Sequence, residues 1–192
     1  MKNLNICIDI DGTITEPYYW LDDCNKYFNT KISEEEVTEY YIHKVLGITE
    51  KQYDEYYEKY KFKIHSTEKL REDAKPILTK LSLTNNIYFV TARDKSLTIL
   101  TYRYLIKNRI PYNDLFVLGS HYKVNTAKDL DCDVFIEDNY DNAIHLSNAG
   151  FKVLLLDTNY NRMPINENII RVFNWNEIYE MIKELLLQDK VV

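Results

Sequence analysis

The chain has 192 residues, three cysteines and a formal net charge of −6. That length suits one domain, or a core carrying an insertion, and is enough to bury a substantial apolar core. The negative charge disfavours a polyanionic polymer such as nucleic acid as partner, no apolar run is long enough to span a membrane, and three dispersed cysteines argue against a disulfide framework and for a reducing, cytoplasmic setting.

The first expected element is a strand over Leu4–Ile8, broken by Asp9 and too short for a signal h-region. It runs straight into two carboxylates, Asp9 and Asp11, in the stretch C-I-D-I-D-G-T-I-T from Cys7 to Thr15. Strand alternation places both acids on the same side of the chain. Gly12 then allows a tight exit, and Thr13 can hydrogen-bond the turn. Two like charges held so close are costly unless a cation or a shared proton relieves them.

Residues 16–73 read as an all-helical insertion. Two capping-box patterns, Ser33-x-x-Glu36 and Thr49-x-x-Gln52, each predict the start of a helix, and Gly47 between them reads as a helix stop. The segment is acidic, with fourteen Asp/Glu against nine Lys/Arg, and holds nine of the seventeen tyrosines. Tyr53, Tyr56, Tyr57 and Tyr60 stand at helical spacing, which predicts that they pack the insertion on its base. An aromatic segment of this kind could also stack a base or ring near a site; Tyr18, Tyr19 and Trp20, just after the acidic strand, are the candidates for facing a substrate.

From there, apolar β-rich runs at Ile87–Val90, Leu115–Leu118, Val134–Ile136 and Val153–Leu156 alternate with helical patterns at Glu72–Leu83, Ser96–Lys107, Asn139–Ala149 and Trp175–Leu187. This rhythm predicts a doubly wound α/β domain, a Rossmann-like parallel sheet with helices on both faces. The expected division is 1–15 plus 74–192 for the core and 16–73 for the insertion.

In such a sheet the ligand crevice lies beyond the carboxyl ends of the strands. The residues there are Asp9-x-Asp11, Thr91-Ala92-Arg93, Gly119-Ser120-His121-Tyr122-Lys123 and Glu137-Asp138. Acid, hydroxyl, ammonium and acid meet at one edge. No cysteine opens a C-x5-R loop, and neither C-x-x-C nor H-E-x-x-H occurs, so cysteine-based phosphoester chemistry and zinc sites of those types are not indicated.

This order of motifs resembles the haloacid dehalogenase (HAD) superfamily, and more closely its 5'(3')-deoxyribonucleotidases and their bacterial nucleotidase relatives. The likeness rests on I-D-I-D-G-T, V-T-A-R, G-S-H-Y-K, F-I-E-D-N-Y-D-N-A and the tail from Val153 to Trp175, with residues 16–73 in the place of a C1-type cap. It implies a Mg2+-dependent phosphomonoesterase acting on a small phosphorylated metabolite, a nucleoside monophosphate in this family. Asp9 would be the nucleophile forming an aspartyl-phosphate, and Asp11 the acid and then the base. Thr91, Ala92 and Lys123 would hold the phosphoryl group. Asp138 would bind Mg2+ with Asp9 and the backbone carbonyl of Asp11, and Glu137 would act from behind. Lys128 is the rival for the lysine role; the S-H-x-K loop favours Lys123.

General chemistry agrees. A carboxylate attacking a phosphate dianion meets repulsion that a divalent cation and an ammonium can offset, and hard oxygen donors suit Mg2+. To start as an acid, Asp11 must have a raised pKa, which partial burial and the charge of Asp9 would favour. Phosphatases of sugar or other metabolite phosphates, and a non-catalytic phosphate-binding protein that keeps the fold, are the alternative readings; loss of Asp9 or Asp11 would be expected in the latter, and both are present.

Overall fold

The computed structural model describes residues 3–188; residues 1–2 and 189–192, inside the expected core bounds, lie outside the described residues. Six parallel strands form one sheet: β1 (Asn5–Ile8), β2 (Asn86–Thr91), β3 (Asp114–Val117), β4 (Val134–Glu137), β5 (Lys152–Leu156) and β6 (Ile169–Val172), in spatial order β3-β2-β1-β4-β5-β6. The doubly wound sheet is therefore present, with one strand more than the periodicity predicts. Strand β6 escapes sequence reading because its four residues, Ile-Ile-Arg-Val, follow a polar stretch and carry a charge in the middle.

The helices are α1 (Leu21–Phe28), α2 (Ile42–Leu46), α3 (Glu50–Ile64), α4 (Ala74–Leu81), α5 (Thr98–Asn108), α6 (Val124–Asp129), α7 (Tyr140–Asn148) and α8 (Trp175–Gln188). Apolar side chains leave the central strands in both directions. On one face Ile6, Ile8, Phe89, Ile136 and Leu154 pack with Leu78 of α4, Leu105 of α5 and Ile178 of α8. On the other, Cys7, Phe135, Val153 and Leu155 pack with Ala127 of α6 and Leu146 of α7. Burial on both faces is why these strands read as continuous apolar runs.

Between β1 and α4 the chain is helical. It leaves and returns side by side: Thr15 and Leu70 form an antiparallel bridge, Glu16 N–H donates to Lys69 O at 2.8 Å, and Arg71 N–H donates to Ile14 O at 2.9 Å. The Thr49 box opens α3, with Thr49 N–H donating to Gln52 Oε1 at 2.9 Å and Gln52 N–H to Thr49 Oγ1 at 3.2 Å. The Ser33 pattern, expected to open a helix, opens only a three-residue 3-10 turn, Glu34–Glu36. Three consecutive glutamates with no buried residue among them give a longer helix no apolar face to bury. Helix α1 lies within the segment expected to be all helical, though no capping box marks its start, and it buries Leu21 and Cys24. The tyrosine row joins the helices of this segment to each other: Tyr56 is buried with Cys24 and Ile64, flanked by Tyr53, Tyr57 and Tyr60.

Candidate active site

Strand order reverses direction between β1 and β4, and the crevice beyond their carboxyl ends is the switch point of the sheet. Asp9 directly follows β1 and is anchored to β4, its N–H donating to Ile136 O at 2.9 Å. Strand β1 stops at Ile8, so alternation does not carry through to Asp11 as expected. The two acids turn to different partners.

Asp9 is buried and accepts a hydrogen bond from Lys123 Nζ, whose other partner is Glu137 Oε1 at 2.9 Å. Lys123 stands just before α6, in the loop after β3, and its side chain is 1% exposed. Lys128, the rival lysine, is exposed on α6. Glu137 ends β4, fully buried, and is held by Asn142 Nδ2 at 2.6 Å and by the Asp138 N–H at 3.1 Å. Burial works against the charge of Lys123, but Asp9 and Glu137 outweigh it and keep the ammonium protonated. For Asp9 burial is the larger influence: with Glu137, Asp138 and Asp11 nearby its carboxyl is pushed up despite Lys123.

Asp138 accepts from Thr13 Oγ1 at 3.1 Å on Oδ1 and from the Tyr160 hydroxyl on Oδ2. Its backbone carbonyl accepts from Asn161 Nδ2 at 2.7 Å. Burial, reinforced by Glu137, pushes its carboxyl up to about 7. The carboxylates of Asp9, Glu137 and Asp138 offer oxygens within 4.8 Å of one another. One ammonium faces three buried acids, which leaves negative charge uncompensated in a desolvated place. A hard divalent cation fits this all-oxygen donor set. The expected ligands Asp9 and Asp138 are thus together, and Asp11 follows two residues on.

Asp11 departs from expectation. Arg93, the third residue of Thr91-Ala92-Arg93, grips it with a fork: Nε donates to Oδ2 at 2.8 Å and Nη2 to Oδ1 at 2.7 Å. Tyr19 OH donates to Oδ1 at 3.3 Å, and His65 Nδ1 is 3.5 Å from the same oxygen. Burial alone would raise this carboxyl, but the Arg93 guanidinium and His65 hold it well below the usual carboxylate range. The raised pKa expected from the neighbouring Asp9 is overturned, because a bidentate guanidinium outweighs one nearby carboxylate. Arg93 also pairs with Glu68, whose carboxyl burial pushes up to about 7.

The other candidates divide. Thr91 is buried at the end of β2, its Oγ1 accepting from Arg93 N–H at 3.2 Å, and Ala92 beside it is half-buried. Tyr18 OH accepts from Asn159 N–H at 2.9 Å, and Trp20 Nε1 donates to Pro17 O at 2.9 Å. Tyr19 alone of the three reaches a site carboxylate. Tyr40 instead lies edge-on between His121 and Tyr160, ring centroids 5.8 and 5.7 Å away. Sequence reading missed His65, Glu68 and Tyr160. The first two are polar residues at the end of the helical segment with no motif of their own; Tyr160 lies in the tail that carried the resemblance.

Comparison with known proteins supplies the family and the fold. Residues 2–190 match the family model of the 5' nucleotidase, deoxy (pyrimidine), cytosolic type C protein (NT5C). A curated nucleotidase of Clostridium acetobutylicum is 60% identical over 192 residues, covering 100% of both chains. Among solved structures, a haloacid dehalogenase-like family hydrolase of Streptococcus pneumoniae superposes with a TM-score of 0.70 at 14% identity, over 94% of this chain and 98% of its own. YfnB of Bacillus subtilis, solved bound to magnesium, gives 0.64 at 14% identity, over 94% and 99%. No helix among the described residues is long and apolar enough to cross a membrane. With the family match running nearly end to end, the chain has the sheet of haloacid dehalogenase-like hydrolases, belongs to the cytosolic type C 5' nucleotidase family and is an enzyme of the nucleotidase/phosphatase class.

Proposed function

We propose that this enzyme hydrolyses nucleoside monophosphates, deoxyribonucleotides among them, through an aspartyl-phosphate on Asp9, in the cytoplasm and with Mg2+ as cofactor. The observation that carries the reading is Lys123, held between Asp9 and Glu137 at the switch point of the sheet with Asp138 alongside. Asp9 and Asp138, with the carbonyl of Asp11, would hold the cation; when bound it supplies charge that offsets repulsion between carboxylate and phosphate.

The chain's own groups divide the work. An Asp9 oxygen attacks phosphorus, and the ester bond to the nucleoside oxygen breaks. Lys123 and the Thr91 hydroxyl, beside Ala92, bind the phosphoryl oxygens, and Glu137 keeps Lys123 aimed from behind. Water then attacks the phosphorus of the aspartyl-phosphate; Asp11 takes its proton, inorganic phosphate leaves and Asp9 is restored. As it stands, Asp11 is ionised, the form this second step needs. To protonate the leaving oxygen in the first step it must loosen from the Arg93 fork when substrate enters and take up a proton from solvent. In later cycles the proton taken from water in the second step replaces it. Residues 16–73 serve as a cap whose aromatic side chains select the nucleoside.

Phosphate release from nucleoside 5'- and 3'-monophosphates and sugar phosphates, with Mg2+ and with EDTA and with Asp9→Asn as control, tests the reading. Mg2+-dependent, Asp9-dependent release favouring nucleotides supports it. Preference for sugar phosphates would keep the mechanism and discard the substrate.

A further inference from the structure

The loop after β5, Asp157–Met163, does more than return the chain to β6. Arg171 on β6 ties it down, with Nη1 donating to Asp157 Oδ1 at 2.9 Å and to Asn161 Oδ1 at 2.7 Å, and Nη2 to Asn161 O at 2.9 Å. Asn161 is fully buried and spans two strand ends, donating to Leu156 O at 2.8 Å and Asp138 O at 2.7 Å. The neighbouring Tyr160 then reaches Asp138 Oδ2 with its hydroxyl while Thr13 holds Oδ1. The closeness of this packing shows at Gly12: a Cβ there would stand 2.3 Å from Asp138 Oδ2 and 2.7 Å from the Tyr160 hydroxyl.

We infer that Tyr160 is a positioning residue of the metal centre: its hydroxyl, opposite that of Thr13, fixes the Asp138 carboxylate in the orientation that binds a divalent cation. This rests on the reading of Asp138 as a cation ligand. A carboxylate has about four lone-pair sites, so two donors leave each oxygen able to accept once more. Rotation of the carboxylate is stopped without its donor capacity being exhausted. Groups that orient a metal-binding side chain in this way typically change metal affinity by about 10–100-fold when removed. The ring of Tyr160 packs edge-on against Tyr18 and Tyr40, so the residue that orients Asp138 also touches the helical segment above the site.

The experiment is calorimetric titration of the EDTA-stripped protein with Mg2+ alone, with no substrate present. Tyr160→Phe keeps the ring and removes the hydroxyl, and is expected to weaken Mg2+ binding about tenfold. Thr13→Val removes the opposite donor, carries the same expectation, and serves if Tyr160→Phe does not fold. Tyr18→Phe removes a hydroxyl that supports the same loop through Asn159 N–H without touching Asp138, and is expected to bind as the wild type does. Wild-type affinity in both Tyr160→Phe and Thr13→Val overturns the inference. So does an equal loss in Tyr160→Phe and Tyr18→Phe, which would mean loop packing rather than carboxylate orientation. Undiminished binding by Asp138→Asn would overturn the underlying ligand assignment instead.

Discussion

Arg93 holds Asp11 with one edge of its guanidinium, Nε at 2.8 Å and Nη2 at 2.7 Å, while Nη2 and Nη1 also pair with the buried Glu68. One cation thus joins the carboxylate expected to move protons to an acid at the end of the helical segment. Removing it would leave Glu68 without its partner. Arg93→Ala is expected to destabilise the protein by about 3–5 kcal/mol, the usual cost of breaking a buried pair from one side. Adding Glu68→Gln should return part of that loss. Denaturant unfolding of both variants checks this, and no recovery would mean that the pair is not the source.

Lys123 is enclosed by Asp9 and Glu137, and its long stem crosses the buried site. Lys123→Met is expected to lower kcat by about 10²–10³, the range for removal of one preorganised charge donor. Lys128→Ala, on the exposed face of α6, should leave turnover unchanged. Steady-state kinetics on the two variants decides which lysine serves the phosphate.

Gly12 has φ of +77°, in the left-handed region. An alanine there meets the strain of that conformation, roughly 1–2 kcal/mol, and places its Cβ against Asp138 and Tyr160. Gly12→Ala should lower the melting temperature and also raise the Mg2+ concentration needed for half-maximal activity. A lower melting temperature with an unaltered Mg2+ requirement would argue against the close packing of Gly12 on Asp138.

The buried acids Asp9, Glu137 and Asp138 repel one another with only Lys123 between them. Mg2+ should therefore raise the melting temperature and EDTA reverse it. Mass action gives about 2.7 kcal/mol of stabilisation at a hundredfold excess over the dissociation constant. Asp138→Asn should lose most of the shift, as scanning calorimetry with and without the cation would show.

Much of this protein is legible in its sequence, for a local reason. Apolar runs such as Val134–Ile136 and Val153–Leu156 announce buried parallel strands because both faces must be apolar, and D-x-D-G-T places two acids at a strand end whatever the rest of the chain does. The Thr49 box marked the start of α3 because capping is settled within four residues. Strand β6 and the bounds of helix α1 are not legible, since each is set by what it packs against. The charge state of Asp11 could not be read either: its controlling partner, Arg93, lies 82 residues away in sequence. Tyr160 likewise meets Asp138 only because Arg171 and Asn161 fold the loop after β5 back over the sheet edge. By itself the sequence determined which chemical groups stand at the strand ends. The tertiary structure decided which of them share a proton, a cation or a hydrogen bond, because those energies depend on distance and burial rather than on order along the chain.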